Sequence, residues 1–523
     1  MSYSRSMTPA LVLWVATALC LSASLIFFTP RGLGMSPDSV AYLKSAQGYL
    51  QGRGFDYFSV QWPPLYPLII GLAARFIEGD FYLSSRLINA VLFGCVFLLL
   101  GILWKVFASK FDKWMYVFAG LLALHPVITH TYFYALSEAL FLPIILLDLI
   151  ALCALAHARE GARARLIVLL SIIGFIATLT RYAGLCVIAL NIFALLIIKT
   201  DNDERFKWLG IVAQTIPALL FLGWWRQRLG VGDTEANLRP LIFHPPTLTD
   251  INLGLSNIGQ WLLGSSADGA YPTLALLSWL VGLCIVCTLF VVSTTGIVRI
   301  FLFGSGTLVS NNKSWLVFLA SIFVTVYLIF LLLMRSFFDP NIVFDYRTLS
   351  PALMPLFVVG FGFLFSIKVN SVRRILLVLL TILLAAQLQQ VRPLLLLSYF
   401  NGLELTNKTR LNSELVKLVR TCPKDLLLHA DYPWNFNLEM TSMVRWLPAT
   451  VLYGSGTQNT RYPQQVSALS DSADLIIVEN LTSDIVSRID GLGKFSRIYQ
   501  SSLGIVWQNN SLYNAQCLMQ SND

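Results

Sequence analysis

The chain has 523 residues, 56% of them hydrophobic and only 12% charged, with a mean hydropathy of +0.68. A soluble globular domain carries roughly 25% charged residues, so this composition excludes an ordinary soluble protein and requires a polytopic membrane protein with repeated apolar runs of about 20 residues. The net charge of +9 comes from Lys and Arg between those runs; no basic, aromatic-interleaved patch is present, which argues against a nucleic-acid partner.

In chain order, the apolar runs predict eleven spanning helices at about 9–28, 84–104, 114–131, 137–156, 165–180, 182–199, 207–226, 273–301, 314–334, 348–367 and 374–396. Residues 9–28 lack a small-residue cleavage site and precede further spans, so they read as a retained helix. The next stretch, 38–51, is too polar to cross. With Ser36 as N-cap and Pro37 at the first helical position, it predicts an external helix lying along the membrane surface. Asp38, Tyr42, Ser45 and Tyr49 share one face at about 100° per residue, and Val40, Leu43 and Leu50 the other. Asp38 is then either a helix-start acid favoured by the dipole or a reactive carboxylate. Gly52-Arg53-Gly54 ends the helix, and Trp62-Pro63-Pro64-Leu65-Tyr66-Pro67 follows, an interfacial aromatic anchor on its simplest reading. The apolar stretch 63–77 starts with Pro63, Pro64 and Pro67 and suits an interfacial or re-entrant helix rather than a crossing.

The basic residues orient this topology. With a cytoplasmic N-terminus and a non-crossing 63–77, one face receives Lys105, Lys110, Lys113, Arg159, Arg163, Arg165, Lys199, Arg205, Lys207, Arg299, Lys313, Lys368, Arg373 and Arg374. That is the cytoplasmic face by the positive-inside rule. The same arrangement puts Asp38, Glu138, Arg181, Asp345 and Arg347 at non-cytoplasmic helix ends. Polar residues near membrane depth are costly and mark function. Glu138, in Tyr134-Ala135-Leu136-Ser137-Glu138, is a helix-start acid or a functional one. Arg181, in Leu179-Thr180-Arg181-Tyr182-Ala183-Gly184, runs against the charge bias of its face, and arginine suits phosphate. In Asp345-Tyr346-Arg347 the charges either pair locally or offer a second external cation. Asp148, late in the fourth span, has no assigned role.

Residues 1–396 form the expected membrane domain, with external loops at 29–83 and 227–272, the latter holding a short helix near 253–263. Beyond it, 397–523 reads as a small external α/β domain, with strands at 426–430, 450–453 and 475–478 and a short helix at 411–420. Cys20, Cys95, Cys153, Cys186, Cys284 and Cys287 lie in apolar helices as small hydrophobes. Cys422 and Cys517 bracket the external domain and can pair in an oxidising compartment. The histidines lack metal-ligand spacing. No nucleotide fingerprint or nucleophile elbow is present, which argues against a cytosolic nucleotide donor.

The ordered stretches Ser36-Pro37-Asp38-Ser39-Val40-Ala41-Tyr42-Leu43, Gly52-Arg53-Gly54, Trp62 to Pro67, Tyr134 to Glu138 and Leu179 to Gly184 resemble the GT-C class of integral-membrane glycosyltransferases. The resemblance is to the protein O-mannosyltransferase-like and aminoarabinose-transferase-like branch of the bacterial inner membrane. It covers the first two hundred residues, and Tyr346-Arg347-Thr348-Leu349-Ser350-Pro351 matches more loosely. It implies a sugar donor on polyprenyl phosphate, an acceptor hydroxyl on a lipid, glycan or protein, and inversion at the anomeric carbon. Asp38 would be the general base, and Arg181 and Arg347 would neutralise the departing lipid phosphate. Glu138 would be a supporting acid or metal ligand. Tyr42, Trp62, Tyr66, Tyr182 and Asp345 would line the substrate site. A divalent cation, Mg or Mn, would sit on Asp38 and Glu138; Ser39, where members with paired acids carry a second carboxylate, leaves that requirement open. The alternatives are a transporter or flippase of polyprenyl-linked glycans, which calls for ionisable residues in mid-span and broken helices in both halves, and a non-catalytic scaffold.

Overall fold

The computed structural model describes residues 7–58, 61–108, 113–198, 204–227, 243–264, 272–304, 306–424, 426–437, 439–440, 444–450, 458–480 and 484–512. The first four hundred residues are helical: α1 (Met7–Phe28), α2 (Pro37–Leu50), α3 (Leu65–Ala74), α4 (Phe81–Ala108), α5 (Lys113–Ala123), α6 (Pro126–Phe133), α7 (Glu138–Ala156), α8 (Glu160–Thr180), α9 (Gly184–Ile197), α10 (Glu204–Gln227), α11 (Leu248–Leu263), α12 (Pro272–Phe303), α13 (Gly306–Val309), α14 (Asn312–Phe337), α15 (Ser350–Ser366), α16 (Asn370–Ala386) and α17 (Leu388–Phe400). Among the described residues, eight helices are long and apolar enough to cross a bilayer, α16 and α17 counting as one. The other three expected spans are the shorter helices α5, α9 and α15.

Two expectations change here. The span expected at 114–131 is two helices, because Pro126 lacks an amide hydrogen and ends the run before it. His125 caps the second piece: its Nδ1 accepts from the Val127 amide at 3.3 Å, and its Nε2 lies 2.9 Å from the Trp261 carbonyl oxygen. The external helix α2 was expected to lie on the bilayer by one greasy face. Instead both faces are buried: Val40 and Leu43 join the main apolar core, and so do Tyr42 and Ala46, one turn apart on the face that carries Asp38. The ambiguous stretch 63–77 is α3, whose ten residues span about 15 Å. That is half the roughly 30 Å hydrocarbon thickness.

Burial sorts the helices into centre and perimeter. In α7, 15 of 19 residues are buried, whereas the apolar windows of α1 and α12 are only 17% buried. Their exposed Leu19, Phe27, Phe290 and Phe301 suit contact with lipid, since hydrocarbon is the only solvent that tolerates such a surface. The central helix thus carries whatever polar groups it holds into a dry interior.

The remaining chain forms α18 (Lys408–Leu411), α19 (Glu414–Thr421), β1 (Leu428–Ala430), α20 (Trp434–Asn437), β2 (Arg445–Trp446), α21 (Tyr462–Ser472), β3 (Leu475–Val478), α22 (Ile485–Gly491), β4 (Phe495–Ser501) and β5 (Gly504–Asn509). The sheet order is β2-β1-β3-β5-β4. β1 pairs parallel with β2 and β3, and β5 pairs antiparallel with β3 and β4. Alternate residues face opposite layers. Leu475 and Ile477 pack towards α19, and Ile476 and Val478 towards α21 and α22. The strands expected near 426–430 and 475–478 and the helix expected at 411–420 are present. The strand expected at 450–453 falls on residues 451–453, outside the described set. The β4–β5 hairpin was not anticipated. Cys422 is disulfide-bonded; Cys517 lies outside the described residues.

The sheet domain docks on α2. Lys44, only 1% exposed, donates to the Met440 carbonyl and, at 3.2 Å, to Gln47 Oε1. Burial, and next the nearby Arg53 charge, lower the Lys44 pKa to about 8. The unfolded chain therefore binds more protons between about pH 8 and the usual lysine value near 10.4, so this group's contribution to stability rises with pH across that window. Measured as melting temperature, wild type should gain on Lys44→Met between pH 8 and 10. A constant difference between the two proteins would contradict the burial of a charged Lys44.

Candidate active site

The first loop builds one wall. Ser36 caps α2: its Oγ accepts from the Ser39 amide at 3.4 Å, while Ser39 Oγ accepts from the Ser36 amide at 3.2 Å. Ser39 is fully buried, so a second carboxylate there would be desolvated beside Asp38. The closed capping box fixes the entry of α2, and Asp38 and Tyr42 follow one turn apart. Past α2, Gly52 and Gly54 take φ of 78° and 64°, conformations that cost side-chain-bearing residues energy. The chain turns back so that Trp62 and Tyr66 meet the Tyr42 ring edge-on at 5.8 and 5.4 Å. The Tyr66 hydroxyl donates to Asn89 Oδ1 at 2.8 Å, and Asn89 Nδ2 donates to the carbonyls of Tyr132 and Tyr134 at 3.0 and 2.7 Å. Tyr66 is thereby committed to holding the 132–134 backbone, and Trp62 and Tyr66 together shore up Tyr42.

The other wall is made of helix ends. Glu138 opens α7 and Arg181 caps the end of α8. Each sits where the helix dipole favours its charge. Arg347 lies in the turn before α15, where Asp345 Oδ1 accepts from the amides of Arg347 and Thr348 at 3.1 and 2.8 Å. Tyr327 donates to the Thr348 carbonyl at 2.5 Å and ties the turn to α14.

These residues converge on one charge cluster. Arg181 Nη1 lies 2.6 Å from Glu138 Oε2, and Arg347 Nε lies 3.1 Å from Glu138 Oε1. Arg347 Nη2 reaches Asp38 Oδ2. Ser137 Oγ accepts from Arg181 Nη1 at 3.0 Å and lies 3.0 Å from the Tyr42 hydroxyl. Two carboxylates thus balance two guanidiniums. Burial and then the charges of Asp38 and Glu138 raise the Tyr42 pKa, so its phenol stays protonated. Burial opposes the Arg347 charge, but Glu138 and Asp38 outweigh it and lift its pKa further.

Within the cluster the two acids are not equivalent. Glu138 is 1% exposed with both oxygens taken by arginine, whereas the Asp38 side chain is 19% exposed and, among the described residues, bound through Oδ2 alone. Arg347 Nη1 and Arg181 Nη2 make no hydrogen bond among the described residues. The site therefore presents an open carboxylate oxygen and open edges of two guanidiniums. A divalent cation fits it poorly. Arg347 already bridges Asp38 and Glu138, and among the described residues no group of three or more His, Cys, Asp or Glu side chains gathers to hold a metal.

Of the residues expected at the site, Asp38, Tyr42, Glu138, Arg181 and Arg347 come together. Trp62 and Tyr66 stand behind Tyr42, Asp345 holds its own turn, and Tyr182 packs with Phe58, Phe221 and Trp225 in a separate aromatic cluster. Sequence reasoning passed over Ser137, His130 and Glu404. Ser137 lay inside a motif already singled out. His130 stacks on Tyr134 at 4.2 Å and its Nε2 lies 3.0 Å from the Tyr346 hydroxyl. Glu404, at φ 45°, pairs its backbone with Met35 and faces Tyr134 from the far end of the chain, a juxtaposition with no local sequence signal.

No family model matches the chain, and no curated protein sequence matches it. Solved structures do align with it. ArnT from Cupriavidus metallidurans in the apo state does so at 12% identity and a TM-score of 0.45, over 96% of this chain and 98% of its own. ArnT from the same organism bound to undecaprenyl phosphate aligns at 13% identity and a TM-score of 0.45, over 95% and 97%. Arabinofuranosyltransferase AftD from Mycobacteria aligns at 14% identity and a TM-score of 0.48, over 97% of this chain but 40% of AftD.

Proposed function

We propose that this protein is a membrane glycosyltransferase that moves a sugar from a polyprenyl-phosphate donor to an acceptor hydroxyl on the non-cytoplasmic face. The observation that carries this reading is the unequal acid pair. Glu138 anchors two arginines by both oxygens, while Asp38 keeps one oxygen open beside them. Asp38 Oδ1 accepts the proton of the acceptor hydroxyl as its oxygen attacks the anomeric carbon. The bond from that carbon to the phosphate oxygen breaks, and the polyprenyl phosphate leaves with the electron pair. Displacement from the opposite side inverts the anomeric configuration. The open edges of Arg181 and Arg347 meet the charge that grows on the phosphate, and electrostatic stabilisation of this kind usually contributes most to catalysis. In this scheme the guanidiniums supply the positive charge that a divalent metal would otherwise bring.

The one-sided distribution of basic clusters and the disulfide at Cys422, which needs an oxidising compartment, support an outward-facing site, a cytoplasmic N-terminus and placement in a plasma membrane. A transporter would place its working charges in mid-span; this cluster lies at helix ends.

The test is to incubate the purified full-length protein with defined radiolabelled polyprenyl-phosphate sugars and acceptor lipids, beside Arg181→Lys. Lysine keeps the charge next to Glu138 but loses the planar fork. Turnover should fall on the order of 10- to 100-fold, the cost of one or two charge-assisted hydrogen bonds. Absence of turnover by wild type across the donor series, or full activity of Arg181→Lys, would overturn the proposal.

A further inference from the structure

Away from the charge cluster, α15 and α16 part near the turn that joins them. α15 ends at Ser366 and α16 begins at Asn370, with Ile367, Lys368 and Val369 between them. Beside this turn the two helices leave a groove of about 250 Å3, walled by Gly360, Phe363, Leu364 and Ile367 on one side and by Leu376 and Leu380 on the other. Every side chain that lines it is apolar. Gly360 explains the opening: a Cβ there would meet nothing within 4 Å, so α15 lacks the side chain that would close it against α16. From Gly360 to Ile367 the wall runs about 10 Å along the helix axis. The groove opens on the perimeter of the bundle, where Phe363, Ile375 and Leu379 are exposed.

The turn end of the groove is cationic. Lys368 directly follows the lining residue Ile367, and Arg373 stands one helical turn before Leu376, on the same face of α16. Arg374 is next to it. Arg373 Nη2 donates to Asn370 Oδ1 at 2.8 Å, and its guanidinium lies 6.0 Å from the centre of the Phe365 ring. Among the described residues, none of these three cations forms an ion pair, and the sequence has no acid between Asp345 and Glu404. Topology accounts for basic residues at this end of the helices but not for the cleft they border. An apolar slot bathed in hydrocarbon takes a hydrocarbon chain, and unpaired cations at its end select a negative headgroup. A second copy of this chain fits less well. A neighbour in the same membrane orientation would bring its own Lys368, Arg373 and Arg374 against these. Arg347 precedes the far end of α15, about 24 Å away along the axis, so the groove is distinct from the place assigned to the donor phosphate.

We propose that this groove binds one anionic phospholipid, with an acyl chain between α15 and α16 and the headgroup phosphate on Lys368, Arg373 and Arg374. The site does not depend on the reaction assigned to the charge cluster. The experiment titrates the purified, delipidated full-length protein in detergent with phosphatidylglycerol or phosphatidylcholine and reads bound lipid by native mass spectrometry. Wild type should hold one phosphatidylglycerol on the order of 100-fold more tightly than phosphatidylcholine, about fivefold for each cation. Arg373→Gln combined with Arg374→Gln should weaken phosphatidylglycerol about 25-fold and leave phosphatidylcholine unchanged. Gly360→Phe fills the groove and leaves the cations in place. It should weaken both lipids on the order of tenfold, the loss of about two buried methylene groups. Should Gly360→Phe fail to give a monodisperse protein, Gly360→Leu carries this arm with a smaller side chain in the same space. Equal binding of the two phospholipids by wild type, or undiminished binding by the Gly360 variant, would overturn the proposal. So would a dimer that the Gly360 variant dissociates, which would assign the groove to a second copy of the chain.

Discussion

Glu138→Gln should cost the protein roughly 3–5 kcal/mol, the penalty for removing one partner from a buried ion pair, seen as a drop of about 10 °C in melting temperature. Among the described residues, its carboxylate is the group that ion-pairs with both arginines, through Oε2 to Arg181 and Oε1 to Arg347. The wild-type cluster is neutral, with two acids and two bases. The amide leaves two guanidiniums against Asp38 alone, in a site where Glu138 itself is 1% exposed. The loss should be partly reversed by Glu138→Gln combined with Arg181→Gln, because removing one charge of each sign restores neutrality. Coupled neighbours of this kind depart from additivity by about 0.5–3 kcal/mol. An unchanged melting temperature for Glu138→Gln, or additive losses in the double variant, would show that the arginines do not depend on this acid.

That dependence also explains what could be read from the sequence and what could not. The spans were legible because each is a local apolar run, and a bilayer makes run length decisive. The capping signal Ser36-Pro37 gave the start of α2 correctly, since N-cap chemistry acts over three residues. The burial of both faces of α2 was not legible. Val40, Tyr42, Leu43 and Ala46 pack into the core of the helical domain, and Lys44 is covered by Met440 of a domain that begins some three hundred and fifty residues later. Arg347 shows the same limit. Its motif offered a local pair with Asp345, and that pair does form, but between the Asp345 carboxylate and the backbone amides. This leaves the guanidinium free to cross to Glu138 and Asp38, 209 and 309 residues away in sequence. Charges that meet only through tertiary packing carry no spacing rule. The broken span at 114–131 failed for a simpler reason: Pro126 was in view, but apolar length outweighed it.

Asp38→Asn should behave in the opposite way to Glu138→Gln, with activity lost and stability kept. Asparagine is nearly isosteric and its Oδ1 can still accept from Arg347. The side chain is also partly open to solvent, so little burial penalty follows. What disappears is the proton acceptor. General-base catalysis is typically worth 10²–10⁴-fold, so transfer from a polyprenyl-phosphate sugar should fall by about that factor while the melting temperature moves by less than about 2 °C. Donor affinity should be preserved, because the proposed reaction has the phosphate held by Arg181 and Arg347 and not by the base. With Arg347 relieved of its ion pair, donor affinity is expected to rise if it changes at all. The pair of variants therefore separates two roles that the sequence placed on similar footing: an acid that holds the arginines and an acid that takes the proton. If Asp38→Asn retains near-wild-type turnover, Asp38 is only the end of an ion-pair chain, and the proton of the acceptor leaves by another route.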